Sequence, residues 1–323
     1  SEASAGVINI ITKKSEKKSM TVGVATNSRE MSNYYHFDSC KDGKLSAAFD
    51  ANFTKVRYFK WDDANMSKYF GPTQNYSLDV DYEMDQNNSL NLYLNYENTN
   101  QQFKKFTSAS GPFSYLGIYN VDRKSASLTY NGQNDNSNYM LSATYGELKK
   151  DVTSAMSANS VGSSKFNFWN IEARDTIKLD NNNRLTFGGE FRTDGRKDSS
   201  IDESSDQYSL FIHDELKLGE KLLLIPAVRY DHHDSFGSET SPNIGATYSF
   251  TEGSRLKANY GEGYRAPSIS ELYGTYSNPN LRPEKSKGYE LSYEQEFGDD
   301  TAIKLTYFKN KKTDAIAMDY SLA

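Results

Sequence analysis

Residues suited to catalysis or metal binding are few, and they do not combine into a recognised site. The four histidines are His36, His213, His232 and His233, and the single cysteine is Cys40. The sequence contains no His-Glu-x-x-His, Cys-x-x-Cys or Gly-x-Ser-x-Gly motif. A strand would direct the adjacent His232 and His233 to opposite faces, which disfavours joint coordination of one ion. We therefore predict no catalytic site and no metal site, and we expect that the protein is not an enzyme.

The bulk composition excludes two broad classes of protein. The net charge is -6 and the 37 Lys and Arg residues are scattered, so no basic surface for nucleic acid is predicted. No segment has the roughly 20 consecutive apolar residues that a membrane-spanning helix needs. Aromatic residues make up 13% of the chain, and Asn, Asp, Gly and Ser form short clusters. This composition is typical of strands separated by turns.

Apolar and polar residues alternate strictly in many segments. Residues 76–85 are an example, with apolar side chains at every second position from Tyr76 to Met84 and Ser, Asp or Glu between them. A strand places the two sets on opposite faces, whereas a helix would mix them. Counting such segments predicts about fifteen strands of roughly ten to thirteen residues, which is the length that a tilted membrane strand requires.

The connections between the predicted strands differ at the two ends. Every second connection is a tight turn rich in Gly, Asn and Asp, such as Lys41-Asp42-Gly43-Lys44. The intervening connections are predicted to be long loops at residues 57–71, 101–120, 150–164, 194–206, 233–240 and 265–285. This sorting is typical of an up-and-down outer-membrane barrel whose tight turns are periplasmic and whose long loops are extracellular. The sequence therefore predicts an all-β, transmembrane antiparallel β-barrel.

Three stretches resemble the TonB-dependent receptor family. Residues 1–14, with Gly6 and Asn9, resemble the last strand of the plug that fills these barrels, and residues 208–242 follow a mid-barrel pattern. The third and most specific stretch is similar to the signature preceding a late barrel strand. It consists of Tyr264-Arg265-Ala266-Pro267, then Glu271-Leu272-Tyr273-Gly274, then Asn278-Pro279-Asn280-Leu281-Arg282-Pro283-Glu284.

The resemblance implies a domain organisation, a location and partners. Residues 1–14 would be the end of a plug domain, and residues 15–323 would be part of a 22-stranded barrel, so we interpret the chain as a truncated sequence. The full protein would be a multi-pass protein of the bacterial outer membrane, monomeric and embedded in lipid. It would use the TonB protein to import a large, scarce nutrient that carries a metal.

Among subfamilies, the third stretch is nearest in pattern to the cobalamin transporters. The imported nutrient is therefore expected to be cobalamin or a ferric siderophore, with a haem receptor or a passive porin-like channel as the alternatives. Candidate ligand contacts in an extracellular loop are Tyr264, Arg265, Tyr273, Tyr276 and Asn278. The prolines of the same stretch favour a second interpretation, in which they stiffen the loop and Leu281 anchors it.

The resemblance to cobalamin receptors also leaves a loop-bound calcium open. Asp62, Asp63, Asp194 and Asp198 could supply carboxylate ligands, although solvated acidic loops are the alternative explanation. Apart from such an ion we expect no resident cofactor. The cobalt or iron would arrive with the nutrient.

Overall fold

The protein forms one large antiparallel sheet. The computed structural model describes residues 18–27, 30–39, 43–56, 59–62, 66–107, 113–154, 162–274, 277–298 and 301–317. The predicted plug segment, residues 1–14, lies outside the described residues, as do Gly6, Asn9 and Tyr276. Within the described ranges 16 strands join a single sheet, in which consecutive strands pair with each other along the chain.

The strands and one short helix follow each other in simple order. They are β1 (Ser19–Thr26), β2 (Glu30–Asp38), β3 (Leu45–Val56), β4 (Phe59–Asp62), β5 (Met66–Glu83), β6 (Asn88–Thr107), β7 (Phe113–Gln133), β8 (Ser137–Ser154), β9 (Gly162–Lys178), β10 (Asn183–Lys197), β11 (Asp202–Leu218), β12 (Leu222–His233), β13 (Gly237–Thr251), β14 (Ser254–Arg265), α1 (Ile269–Tyr273), β15 (Glu284–Phe297) and β16 (Thr301–Thr313). Only β4 departs from the path, because it pairs with β5 alone. The predicted up-and-down antiparallel architecture and strand number are confirmed.

The predicted tight turns lie together at one end of the sheet. Gly43, Gly219 and Gly298 have positive φ values of 63°, 67° and 72°, which glycine adopts at no steric cost. The opposite end carries the long segment between β14 and β15. We call these ends the turn end and the loop end.

The prediction for most other loops was wrong, because the strands continue through them. β6 and β7 have 20 and 21 residues, well beyond the predicted length. β10 and β11 pair up to Lys197 and Asp202, so the predicted loop at 194–206 shrinks to residues 198–201. On β10 and β11, residues 192–197 and 202–207 are polar or glycine on both faces, so the alternation ends there. Backbone hydrogen bonding does not need alternation and continues.

The two faces of the sheet have opposite chemistry. Leu210 and Leu305 lie on the outer face and are 64% and 65% exposed, and many further large apolar side chains on this face are also exposed. The inner face is polar. Ser209, next to Leu210, is only 3% exposed and donates a hydrogen bond to Asp231. A wide exposed apolar surface requires an apolar surrounding, which here is lipid.

The sheet is strongly curved, with its polar face on the concave side. Helix α1 follows β14, yet it contacts β10 and β11 across the concave side. A flat sheet would keep these elements far apart. In the described part of the chain, β1 and β16 each pair on one side only, and no helix is long and apolar enough to cross a bilayer.

A charge on the outer face tests the assignment of the two faces. Leu291 lies near the middle of β15, opposite Ala258 and Tyr307. In the full-length protein, Leu291→Arg should destabilise the barrel in a bilayer, lowering its free energy of unfolding by ~2–4 kcal/mol. Denaturant titration in lipid vesicles measures this value. Asn259→Arg is the matched control, because Asn259 has nearly the same depth on the inner face, and it should cost far less. Equal costs would contradict the assignment.

Candidate functional site

The site is built around the segment between β14 and β15, residues 266–283. Its helix α1 begins with a capping box, in which the Ser268 backbone N–H donates to the Glu271 carboxylate at 2.8 Å and the Ser268 hydroxyl accepts from the Glu271 N–H. The Arg265 guanidinium bonds the same carboxylate at 3.0 Å. These contacts fix the start of the segment to the end of β14.

The second half of the segment is held by backbone bonds and by Asn278. The Asn278 N–H donates to the Glu271 carbonyl at 2.9 Å, and the Asn278 side chain accepts from the Asn280 N–H at 2.9 Å. Leu281 is half-buried, Pro283 is half-buried, and Pro279 is exposed. Glu284, where β15 begins, is buried and accepts from the Ile316 N–H at 3.2 Å. These contacts are consistent with the predicted structural role of the signature, which is to stiffen and anchor the loop.

A cavity of about 530 Å³ lies between this segment and the inner face of the wall. Its floor comes from β6 to β12 and its roof from residues 265–270, including the buried Pro267. It lies toward the loop end of the sheet, since Arg196 is next to the end of β10. The lining includes four arginines and two phenylalanines, namely Arg123, Arg192, Arg196, Arg265, Phe166 and Phe168.

The arginines are fixed by carboxylates and aromatic rings. Arg192 forms a two-pronged pair with Asp194, at 2.7 and 3.0 Å, and its guanidinium lies 5.4 Å from the Phe168 ring centroid. Arg196 pairs with Asp198 at 2.9 Å and lies over Phe166 at 5.2 Å. Arg123 pairs with Glu97. Asp194 and Asp198, two of the four aspartates considered for calcium, therefore each have an arginine partner. Asp63 and the side chain of Asp62 lie outside the described residues. In the ranges that the structure describes, no group of three potential ligands could hold a metal.

The fit between roof and wall depends on one glycine. A Cβ added at Gly274 would lie 2.7 Å from the Arg196 Nη1 atom and 2.4 Å from the Ser270 carbonyl oxygen. Only a residue without a side chain permits this approach of the segment to Arg196.

The residues predicted from the sequence do not all reach the cavity. Arg265 lines it, as predicted for a ligand contact. Tyr273 is 47% exposed and Asn278 is exposed, and both lie outside the lining. Tyr264 is only 5% exposed and also lies outside the lining.

Sequence reasoning missed most of the arginines. The signal was present in the period-two series Arg192, Asp194, Arg196 and Asp198, which places alternating charges on one face of a strand. Asp194, Arg196 and Asp198 were assigned to a loop. The facing Phe166 and Phe168 have the same period on the neighbouring strand β9, since Phe166 is opposite Arg196 and Phe168 is opposite Asp194.

Comparison with known proteins identifies the family. The model of the family described as TonB dependent receptor-like, beta-barrel matches residues 20–323. The chain belongs to the TonB-dependent receptor family. Its fold is therefore a transmembrane β-barrel wall, and its location is the bacterial outer membrane. The resemblance inferred from the sequence is confirmed at the level of the family.

Solved structures agree with the family on the fold. The chain is similar to the ferric enterobactin receptor PfeA from Pseudomonas aeruginosa in complex with enterobactin (TM-score 0.75, 17% identity, 91% of this chain and 53% of that one). It is also similar to the siderophore receptor PirA from Pseudomonas aeruginosa (0.74, 17%, 93% and 57%). A third is the hemophore receptor HasR from Serratia marcescens with its hemophore and heme (0.73, 15%, 93% and 55%). The chain spans about half the length of these TonB-dependent receptors.

Burial changes the chemistry of Tyr264. The outer apolar run of β14 ends at Tyr260 and is followed by Glu262, so Tyr264 lies beyond the apolar band. Burial, together with the negative charges of Asp231 and Glu239, raises the pKa of Tyr264 to about 12. The hydroxyl therefore stays protonated, and it has no hydrogen-bond partner among the described residues.

Substitution of Tyr264 separates a packing role from a ligand role. Because the hydroxyl is buried without a partner, Tyr264→Phe should leave the stability of the full-length receptor unchanged or raise it slightly. Tyr264→Ala should cost ~3–5 kcal/mol, by analogy with other buried aromatic truncations. Chemical denaturation measures both. A tenfold loss of cargo affinity in Tyr264→Phe would instead show that the hydroxyl contacts cargo.

The Glu271 carboxylate gives the segment a pH dependence. Burial alone would raise the pKa of Glu271, but hydrogen bonds from Arg265 and Ser268 outweigh it and lower the pKa below 4.5. A carboxylate with a lowered folded-state pKa stabilises the fold fully above its unfolded-state pKa. That contribution disappears as the pH falls through the folded-state value.

Glu271→Gln should therefore loosen the segment at pH 7 and have little effect in acid. We expect a loss of about 0.5–2 kcal/mol of local protection at residues 268–274, the size of a capping contribution. Hydrogen exchange, corrected for its intrinsic pH dependence, measures this loss. Below the folded-state pKa the variant and the parent should converge. Glu203→Gln, an exposed carboxylate on β11, is the control and should leave these amides unchanged at both pH values.

Proposed function

We propose that the full-length protein imports a ferric siderophore of anionic character across the outer membrane, driven by TonB. The observation that carries the proposal is the cavity in which arginines and phenylalanines meet beneath residues 265–270. The family supports uptake of a metal-chelate nutrient, and the arrangement of the lining supports the negative charge. We also propose that the receptor has no enzymatic activity.

The guanidinium groups can bind an anion although each already has a carboxylate partner. Each guanidinium has five N–H donors. The Arg192 pair with Asp194 uses Nε and Nη2. Arg196 bonds Asp198 through the same two nitrogens. The carboxylates orient the planar guanidinium groups toward the cavity, where a planar group with several N–H donors suits the oxygens of an anionic chelate.

The phenylalanines add a planar apolar surface. Phe166 and Phe168 lie beside the arginines at a spacing at which an aromatic or amide-rich chelate could stack. Cobalamin carries mainly neutral amides, so it complements the charge of four guanidinium groups less well than an anionic chelate does. It remains the second candidate because of the compact pattern from Tyr264 to Ser286.

The position of the cavity fits capture from outside the cell. Tight turns are periplasmic in bacterial outer-membrane barrels, so the loop end faces the environment. The residues roofing the cavity, together with Tyr273, Tyr276 and Asn278 of the same segment, would meet the incoming nutrient first. We further propose that the full-length protein has a plug domain that includes residues 1–14, that it contacts TonB, and that it is a monomer. A calcium ion bound by an extracellular loop is an optional part of this proposal.

Removal of two cavity arginines tests the site. The double variant Arg192→Gln and Arg196→Gln in the full-length receptor should weaken binding of its ferric siderophore by at least roughly tenfold, because each lost charged hydrogen bond contributes about 1.5–3 kcal/mol. Equilibrium binding to purified receptor measures the change. Arg255→Gln is the matched control. Arg255 also pairs with two carboxylates, Glu294 and Glu296, but lies at the turn end.

Competitive uptake decides which nutrient is carried. Cells lacking other receptors are given labelled cobalamin, a ferric catecholate, a ferric hydroxamate or haem, with and without a functional TonB. Uptake of a ferric siderophore that disappears without TonB supports the proposal. Uptake of cobalamin or haem alone would overturn the assignment of the cargo, and uptake that is independent of TonB would favour a passive channel.

A further inference from the structure

The wall of the sheet opens at the loop end between β13 and β14. Beyond Asn243 and Gly261 these two strands stop pairing with each other. Each strand nevertheless continues, because β13 stays paired with β12 and β14 stays paired with β15 up to the loop end. In this part of the described chain, residues 237–242 of β13 and residues 262–265 of β14 therefore flank a gap in the sheet. We call this gap the slot.

The residues beside the slot explain why the pairing stops there. Pro242 lacks the N–H group that a ladder needs, and Gly261 and Gly263 weaken the facing strand. The outward-facing pair of Ile244 and Tyr260 ends the apolar band just below the slot. The slot thus lies beyond the hydrocarbon, where water replaces the missing partners of the backbone. The same gap within lipid would leave backbone groups without any partner.

Side chains bridge the slot in place of backbone bonds. The Lys285 ammonium of β15 reaches across to the Glu239 carboxylate of β13 at 2.5 Å. Tyr264, at the end of β14, is only 5% exposed, and the charges of Asp231 and Glu239 raise the pKa of its hydroxyl. The Tyr264 side chain therefore packs into the slot toward β12 and β13. One exposed ion pair and one aromatic ring hold the two edges together.

The slot frees one edge of the cavity roof from the wall. We define the flap as residues 262–274, which comprise the top of β14, the roof of the cavity and helix α1. Among the described residues, the backbone hydrogen bonds of the flap beyond β14 stay within the segment between β14 and β15, as from the Gly274 N–H to the Ser270 carbonyl at 3.0 Å. The flap meets β10 through the approach of Gly274 to the Arg196 side chain. Movement of the flap away from β10, β11 and β13 therefore breaks no ladder of backbone bonds.

We propose that the slot is a hinge for the flap, and that the pair of Lys285 and Glu239 is a clasp that sets how fast cargo enters and leaves the cavity. With the clasp closed, the flap roofs the arginines. With the clasp open, the flap separates from β13 and uncovers the cavity toward the loop end. The inference rests on the proposed function in one respect, because it assigns a cargo to the cavity.

The clasp acts on rates and not on affinity. It lies outside the lining of the cavity and is the same in the empty and the filled receptor. A variant without the clasp therefore loses the same stabilisation of the closed flap in both states, so the open flap becomes more populated in both. Entry and exit of cargo accelerate by the same factor, and their ratio stays constant.

Binding kinetics test the clasp. Lys285→Gln in the full-length receptor should raise the rate constants for association and dissociation of a ferric catecholate about two- to fivefold, the range that loss of an exposed ion pair allows. The dissociation constant should stay within about twofold of the parent value. Stopped-flow quenching of protein fluorescence measures both rate constants.

Two controls separate the clasp from a general effect of charge. Lys287→Gln removes a matched ion pair with Glu262 at 2.7 Å, because the Lys287 side chain is 52% exposed and the Lys285 side chain 50%. This pair joins β14 to β15 and does not cross the slot, so both rates should stay at the parent values. Lys285→Arg keeps the charge and should also keep the parent rates.

Three kinetic results would overturn the clasp. The first is parent rates in Lys285→Gln, and the second is equal acceleration in Lys287→Gln. The third is weaker affinity through faster dissociation alone, which would make Lys285 a contact of the cargo.

Spin-label distances test the hinge without cargo. The pair Ser238→Cys and Lys287→Cys places labels two strands apart across the slot. The control pair Tyr208→Cys and Ser238→Cys places them two strands apart across continuous wall. Double electron–electron resonance on the full-length receptor in lipid should give a broader distance distribution across the slot. Equally narrow distributions would contradict the hinge. If no chelate binds the receptor, the proposed function fails, and these distances still decide the hinge.

Discussion

Every backbone N–H and C=O group that lies in lipid must be hydrogen-bonded within the protein, and this requirement constrains the whole molecule. Lipid offers no hydrogen-bond partners, so each unpaired group within it costs several kcal/mol. An up-and-down sheet meets the obligation by pairing each strand with its neighbours in the chain, which is the order observed. Curvature then gives the sheet a concave polar side. The cavity and its roof exist because that side can be crossed by the segment between β14 and β15.

The same constraint explains which parts of the fold could be predicted from sequence. In the apolar band the lipid-facing side must be apolar and the inner side polar, so the alternation is strict. Strands such as β14 and β15 can therefore be predicted from the sequence. Beyond the band both faces meet water. There β10 and the turn after it carry the period-two series from Arg192 to Asp198, but the residues between are also polar or glycine, so the series lacks the apolar alternation that predicted the other strands. The predicted strands are therefore too short at the loop end, where backbone hydrogen bonds alone hold neighbouring strands together.

The candidate site was only partly predictable for a different reason. The signature from Tyr264 to Glu284 is local, so Arg265 and the stiff, Asn278-centred loop could be recognised from sequence. The cavity combines that segment with strands β6 to β12, which are far away in the chain. Their meeting depends on curvature and on the space left by Gly274, and neither is encoded in periodicity. Tyr264 belongs to the same motif, but its burial outside the cavity lining could not be predicted from the local sequence.

The predominance of arginine in the cavity follows from its chemistry. Arginine predominates in the cavity, where a planar group with five donors can hold a carboxylate on one edge, stack on a ring, and still offer donors to a ligand. Lysine, a flexible and strongly hydrated point charge, could not hold a carboxylate and lie flat on a ring at the same time. Lysine in place of Arg192 would lose the two-pronged pair with Asp194 and the contact with Phe168.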